Sequence, residues 1–298
     1  MVKLLHIGLG KCGSTFLQNE IFPLIANKIN SKYIDVYKNV FFKNIKISKT
    51  NYCPFENFQN IEKVLPNNFI ISNEDLFSKD WEFSRIEKNF RCIKGNFSND
   101  TVILIIIRNP YDLLNSIYCQ AIHQMILIKP ENFFYVDDKE LSIRAKDKFN
   151  LYNFEYSKLI SLYKSYFKKV VVVKYENLHN LYFLKDIFNL DDKFINELNK
   201  KTKKTYNKSI SKFGINFILF LNIFFDVNKN QKFIGKHVYP SNNIFFKIKN
   251  RILSQFLLRN FFQYKFDKII PYKKYYIDRN FIPIDIEKEI LKYDNLDI

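Results

Sequence analysis

The chain has 298 residues, of which 47% are hydrophobic and 17% aromatic, and it carries a formal charge of +17. That is long enough for a sizeable core and too apolar for intrinsic disorder. No apolar run reaches the roughly 18 to 20 residues of a membrane span; FGINFILFLNIFF at 213–225 stops at 13 with two asparagines. It reads as a buried or amphipathic helix, with an interfacial membrane helix as the alternative.

VKLLHI (2–7) reads as a strand buried on both faces. HIGLGKCGSTFLQ (6–18) follows, and it holds three of the chain's six glycines within six residues, beside Lys11. From Ser14 onward the pattern turns helical, over 15–27. A strand, a glycine turn and a helix start make an anion site, because loop N–H groups and the helix dipole point at one place. Lys11 precedes the last glycine, so the order is not that of a Walker A loop. The chemistry is similar. Gly10 and Gly13 let N–H groups approach an oxyanion, Ser14 and Thr15 add hydroxyl donors, and Lys11 brings a movable charge. Cys12 reads as a small residue tolerated in the turn rather than as a nucleophile.

FIIS (69–72) is a second strand, and in the stretch FIISNEDLF (69–77) it puts Glu74 just beyond its carboxyl end. TVILIII (101–107) is a third, ending at Arg108; Pro110 then suits the first turn of a helix over about 110–128, with Ser116 two turns in. The chain uses 7 arginines against 40 lysines, so an arginine here suggests a bidentate partner such as phosphate. The alternative is an internal ion pair with Asp112. VVVVK (170–174) is a fourth strand, between helices predicted over 139–168 and 179–199. In the first of these, Tyr152, Tyr156, Leu159, Tyr163 and Phe167 follow helical spacing, and most of these aromatics belong to the core. KKTKKTYNKSISK (200–212), with six lysines and no acid, reads as a mobile loop into a final helical region.

Strands alternating with helices predict an α/β fold, a three-layer sandwich about a central parallel sheet, with ligands at the strands' carboxyl ends. With no internal repeat and no clear linker, we expect one domain over 1–298: a core at 1–212 and a helical C-terminal region at 213–298 without an assigned role. Residues 1–192 carry 26 basic and 21 acidic side chains, and residues 193–298 carry 21 and 9. That field favours anionic ligands. No helix-turn-helix, zinc finger or RNP-like motif points to nucleic acid. Four cysteines without CxxC spacing or zinc-ligand histidines predict free thiols and no metal site. With a first strand at Val2 and no signal peptide expected, they place the protein in the cytoplasm.

The two anion motifs together resemble the sulfotransferases that use 3′-phosphoadenosine-5′-phosphosulfate (PAPS). GKCGST is similar to their K-x-G-[ST]-[ST] loop for the 5′-phosphosulfate. RNPYDLLNS is similar to their arginine with a serine eight residues on, which bind the 3′-phosphate. VVVVKYENLHNLYFLKDIFNL (170–190) looks like the family's later strand, YE-x-L turn and helix. TYNKSIS (205–211) is similar to an N-x-S segment near the cofactor in bacterial members. The resemblance covers most of 1–212 and implies a P-loop-NTPase-like sulfotransferase fold.

It further implies that Lys11 contacts the phosphosulfate, that Gly10, Cys12, Gly13, Ser14 and Thr15 cradle the 5′ end, and that Arg108 and Ser116 hold the 3′-phosphate. Lys208 would join the cofactor contacts. Phe16 either stacks on adenine or packs in the core. Glu74 stands where the family places its catalytic base, with Asp75 and His123 as alternatives. The implied reaction moves a sulfuryl group to an acceptor hydroxyl or amine, a saccharide or glycan being the expected acceptor, and uses no metal. No RKG run, GDW or K-x-x-x-T-V-x-x-x-E segment of the cytosolic members is present. A nucleotide-dependent kinase or NTPase and a non-enzymatic binder of anionic glycans stand as the alternatives.

Overall fold

The computed structural model describes residues 2–34, 53–78, 83–123, 128–138, 148–203, 211–225, 233–234, 237–238 and 270–296. Strand β1 (Lys3–Gly8) leads through the glycine loop into α1 (Ser14–Phe16), a π turn (Leu17–Ile21) and α2 (Phe22–Lys28). There follow β2 (Lys32–Ile34), β3 (Phe69–Asn73), α3 (Ile86–Asn96), β4 (Val102–Ile107) and α4 (Pro110–His123). The chain continues with α5 (Tyr156–Lys164), β5 (Val170–Lys174), α6 (Phe183–Phe188), α7 (Asp192–Asn199), α8 (Lys212–Phe225) and α9 (Ile286–Asp294).

The five strands form one parallel sheet in the order β2-β3-β1-β4-β5. Leu5 of β1 pairs with Ile71 on one side and Ile103 on the other. Leu4, Leu5, Ile7, Ile70, Ile71 and Ile103 to Ile107 are fully buried. Aliphatic runs without alternation are what strands covered on both faces require, and each such side chain contributes about 1.5–3 kcal/mol by burial. His6 sits in this layer with Nδ1 2.7 Å from Ser72 Oγ. Burial pushes its pKa down to about 3, so it is a neutral packing residue.

The strand order fixes where a ligand can sit. The chain leaves β1 toward the β2 edge, whereas the crossovers from β3 and β4 travel the other way. Right-handed crossovers then lie on opposite faces, which opens a crevice at the carboxyl end of β1, between the ends of β3 and β4.

Two predicted helices are shorter than their patterns. Across 139–168 only Tyr156–Lys164 is helical among the described residues; Phe149–Asn150 is a short strand, and Asn153 takes a left-handed φ of 59° that no helix accommodates. Tyr156, Leu159, Tyr163 and Phe167 are nevertheless buried, as the spacing predicts, whereas Tyr152 lies in the turn before the helix and is half-buried. The 179–199 pattern splits at Asn189 (φ 52°), after which the Asp191 carboxylate accepts from the Phe194 N–H to cap α7. Of the 200–212 loop, Lys200–Lys203 is a 3₁₀ turn and 204–210, with Lys208, lies outside the described residues.

The chain divides into two compact units. The first, Met1–Pro110, Tyr152–Tyr206 and Glu287–Ile298, holds the sheet. The second comprises Tyr111–Leu151 and Asn207–Ile286. Within it Asn115 on α4 grips the 270–282 segment, its Nδ2 donating to Tyr275 O at 2.6 Å and its Oδ1 accepting from the Ile277 N–H at 3.0 Å. Lys274 pairs with Asp112, the Tyr111 hydroxyl donates to Ile277 O, and Tyr118 stacks on Tyr275. Among the described residues no helix is long and apolar enough to cross a membrane.

Candidate active site

The glycine loop is shaped by two left-handed residues, Lys11 (φ 66°) and Gly13 (φ 82°). For lysine that conformation is costly and is held only when its surroundings enforce it. At Gly13 a side chain is excluded twice over, because a Cβ would stand 2.6 Å from Leu178 Cδ1 and 3.3 Å from Tyr175 Cε2. Cys12 N–H donates to Leu9 O, and Phe16 N–H donates to Gly13 O. The N–H groups of Gly13, Ser14 and Thr15 take no backbone acceptor among the described residues, as expected where a helical segment opens. Successive N–H groups in such a turn form a concavity that attracts anions.

Glu74 follows β3 directly, on the strand next to β1. Its Cγ and the Ser14 hydroxyl both crowd the Gly8 backbone: a Cβ on Gly8 would lie 3.4 Å from the former and 2.6 Å from the latter. The Ser14 hydroxyl, itself buried, donates to Leu9 O at 3.4 Å. Glu74 is half-buried, and loss of hydration raises its pKa above the usual 4.5, while the nearby Lys11 charge pulls it back in part. A carboxylate poised this way is more basic than an exposed one. Asp75 is half-buried beside it, its N–H donating to Asn73 Oδ1.

Arg108 closes the other side, at the end of β4. Its Nη1 donates to the Lys11 carbonyl at 3.0 Å, and its guanidinium lies over the Tyr175 ring, 4.6 Å from the centroid. Nε is buried with no hydrogen-bond partner among the described residues. A planar cation, stacked and only partly hydrogen-bonded beside an N–H nest, suits an oxyanion. Asp112, the alternative ion-pair partner expected from the sequence, pairs with Lys274 within the second unit.

Lys11, Gly13, Ser14, Glu74 and Arg108 are thus brought together, from the ends of three adjacent strands. Gly10 lies buried in the loop and Thr15 is half-buried on the first helical turn. Cys12 is fully buried, and burial pushes its thiol well above the ordinary range, so it is an inert small residue. Phe16 is 8% exposed, in keeping with the packing alternative. Ser116 is half-buried on α4 in the second unit. His123 ends that helix. His179 is exposed, with Nδ1 2.8 Å from Glu176 O.

The turn after β5, Tyr175-Glu176-Asn177-Leu178, supplies a wall that the sequence marked by resemblance but left without a role. Tyr175 stacks under Arg108, Leu178 packs on Gly13, and Glu176 accepts from the Asn109 N–H at 3.2 Å. Tyr293, 117 residues further along, donates its hydroxyl to Glu176. No local pattern around Tyr293 marks it. Among the described residues no three His, Cys, Asp or Glu side chains gather as a metal site would require.

No protein-family model matches this chain, and no curated protein matches it significantly.

Proposed function

We propose that this protein is a sulfotransferase that moves a sulfuryl group from PAPS to an acceptor hydroxyl or amine, with a saccharide as the expected acceptor. Its α/β sheet would then be that of the P-loop-like sulfotransferases. The observation that supports this reading most is the convergence of Lys11, Glu74 and Arg108 on one crevice, with an N–H nest between a candidate base and a candidate phosphate ligand.

Each group fits a need of the reaction. The nest at Gly13, Ser14 and Thr15 would hold the 5′-phosphosulfate. Lys11 would offset the negative charge that gathers on the leaving phosphate. The Arg108 guanidinium, which commits Nη1 to the Lys11 carbonyl, would turn its other terminal donors to a further phosphate. Glu74, its pKa raised, would take the acceptor's proton. Sulfuryl transfer, like phosphoryl transfer through a loose transition state, asks chiefly for positioning and charge stabilisation.

A second reading has one observation in its favour. Glu74 and the Ser14 hydroxyl meet at Gly8, and a carboxylate beside a loop hydroxyl also suits a magnesium nucleotide. One assay separates the two. With radiolabelled PAPS, a panel of saccharides and excess EDTA, the sulfotransferase reading expects label in a saccharide. Magnesium-dependent ATP consumption with no sulfate transfer would favour the kinase.

A further inference from the structure

The peptide that joins Arg108 to Asn109 is held at both ends. Its carbonyl accepts from the Tyr156 hydroxyl at 2.7 Å, and its N–H donates to Glu176 Oε1 at 3.2 Å. Glu176 is itself held by the Tyr293 hydroxyl, which donates to Oε2. The two phenols belong to neighbouring rings, Tyr156 and Tyr293, with centroids 6.0 Å apart. Burial, and next the Glu176 carboxylate, hold the Tyr293 phenol well above its ordinary range, so it stays a donor.

We propose that Tyr293 on α9 is a positioning residue of the anion site, acting through Glu176 to fix the plane of the Arg108–Asn109 peptide and thereby the direction of the Arg108 guanidinium. A side chain leaves Cα at an angle set by the adjoining peptides, so pinning this one restricts where the guanidinium reaches. The C-terminal helix thus completes the site rather than merely covering the sheet. It is anchored independently, by Lys292 Nζ to Glu155 Oε1 at 3.1 Å and by Lys174 Nζ to Asp294 O at 3.2 Å. Tyr293→Phe also keeps the buried ring beside Tyr156, so loss of the one hydroxyl leaves α9 packed in place.

The consequence for ligands rests on the PAPS reading, whereas the clamp itself does not, so two measurements are made on wild type, Tyr293→Phe and Glu176→Gln. The first is hydrogen exchange at the Asn109 amide. It should quicken by about tenfold or more in both variants, as loss of a charge-assisted bond implies, with β4 amides unchanged. An unchanged Asn109 rate in Tyr293→Phe overturns the clamp.

The second is affinity for adenosine 3′,5′-bisphosphate and for 5′-AMP. Tyr293→Phe should lower the wild-type preference for the bisphosphate by about tenfold, with 5′-AMP affinity kept. Equal loss for both nucleotides would make Tyr293 merely structural and overturn its positioning role. If wild type itself shows no preference, the PAPS reading fails, and the Asn109 exchange rates alone decide the clamp.

Discussion

Arg108 and Lys11, 97 residues apart in the chain, are joined by a 3.0 Å hydrogen bond from the Arg108 guanidinium to the Lys11 carbonyl. This bond ties the end of β4 to the glycine loop after β1. It also helps explain how a lysine is kept at φ 66°, since a carbonyl fixed by a cation fixes the peptide that carries it. The two cations are therefore parts of one structure, and changing either tests the other.

Lys11→Ala should slow turnover by about 10²-fold or more, the scale set by removing one charge-stabilising donor. Lys11→Gly separates charge from conformation. Glycine adopts a positive φ freely, so this variant should melt within about 1 kcal/mol of wild type, or above it. It should still lose as much turnover as the alanine variant. Steady-state rates and thermal melts together check both statements.

Gly13→Ala should destabilise by about 2 kcal/mol or more, from a left-handed backbone and a Cβ placed against Leu178. Gly95→Ala is the matched control. Gly95 lies in α3 with nothing within 4 Å of an added Cβ, and there alanine should stabilise by about 0.5–1 kcal/mol. Chemical denaturation of the two variants gives the comparison.

Glu74 carries a pH signature in both activity and stability. Its folded pKa is raised by burial, so between the unfolded value and the raised one the folded state binds more protons than the unfolded state. Stability then falls as pH rises through that window. Glu74→Gln should therefore be more stable than wild type at neutral pH, and the advantage should vanish below the ordinary carboxylate range. Activity runs the opposite way. In wild type kcat/KM should climb with pH along a limb placed above 4.5, and the variant should lose both the limb and most of the rate.

Much of this arrangement was legible in the chain. The four apolar runs are strands within a residue or two of their expected bounds, because a strand buried on both faces needs an unbroken aliphatic run. The crevice followed from the alternation of elements, and Lys11, Glu74 and Arg108 each follow a strand. What sequence reading missed is of three kinds. The breaks at Asn153 and Asn189 are left-handed residues inside helical spacing, where one backbone torsion overrides a periodic pattern. Tyr293 and Glu176 act through a contact spanning 117 residues, and no local period encodes such a contact. Strand β2, with three residues, offered too little pattern to see, whereas α3 does carry Ile86, Phe90 and Ile93 at helical spacing, all buried, a signal the strand-led reading passed over.

Whether Arg108 holds a phosphate is decided by calorimetric titration of wild type and Arg108→Ala with adenosine 3′,5′-bisphosphate and with 5′-AMP. Wild type should bind the bisphosphate at least tenfold more tightly, the worth of one charge-assisted phosphate contact, and Arg108→Ala should bind the two nucleotides alike. Equal binding of both by wild type, or a preference that survives loss of Arg108, would contradict the account.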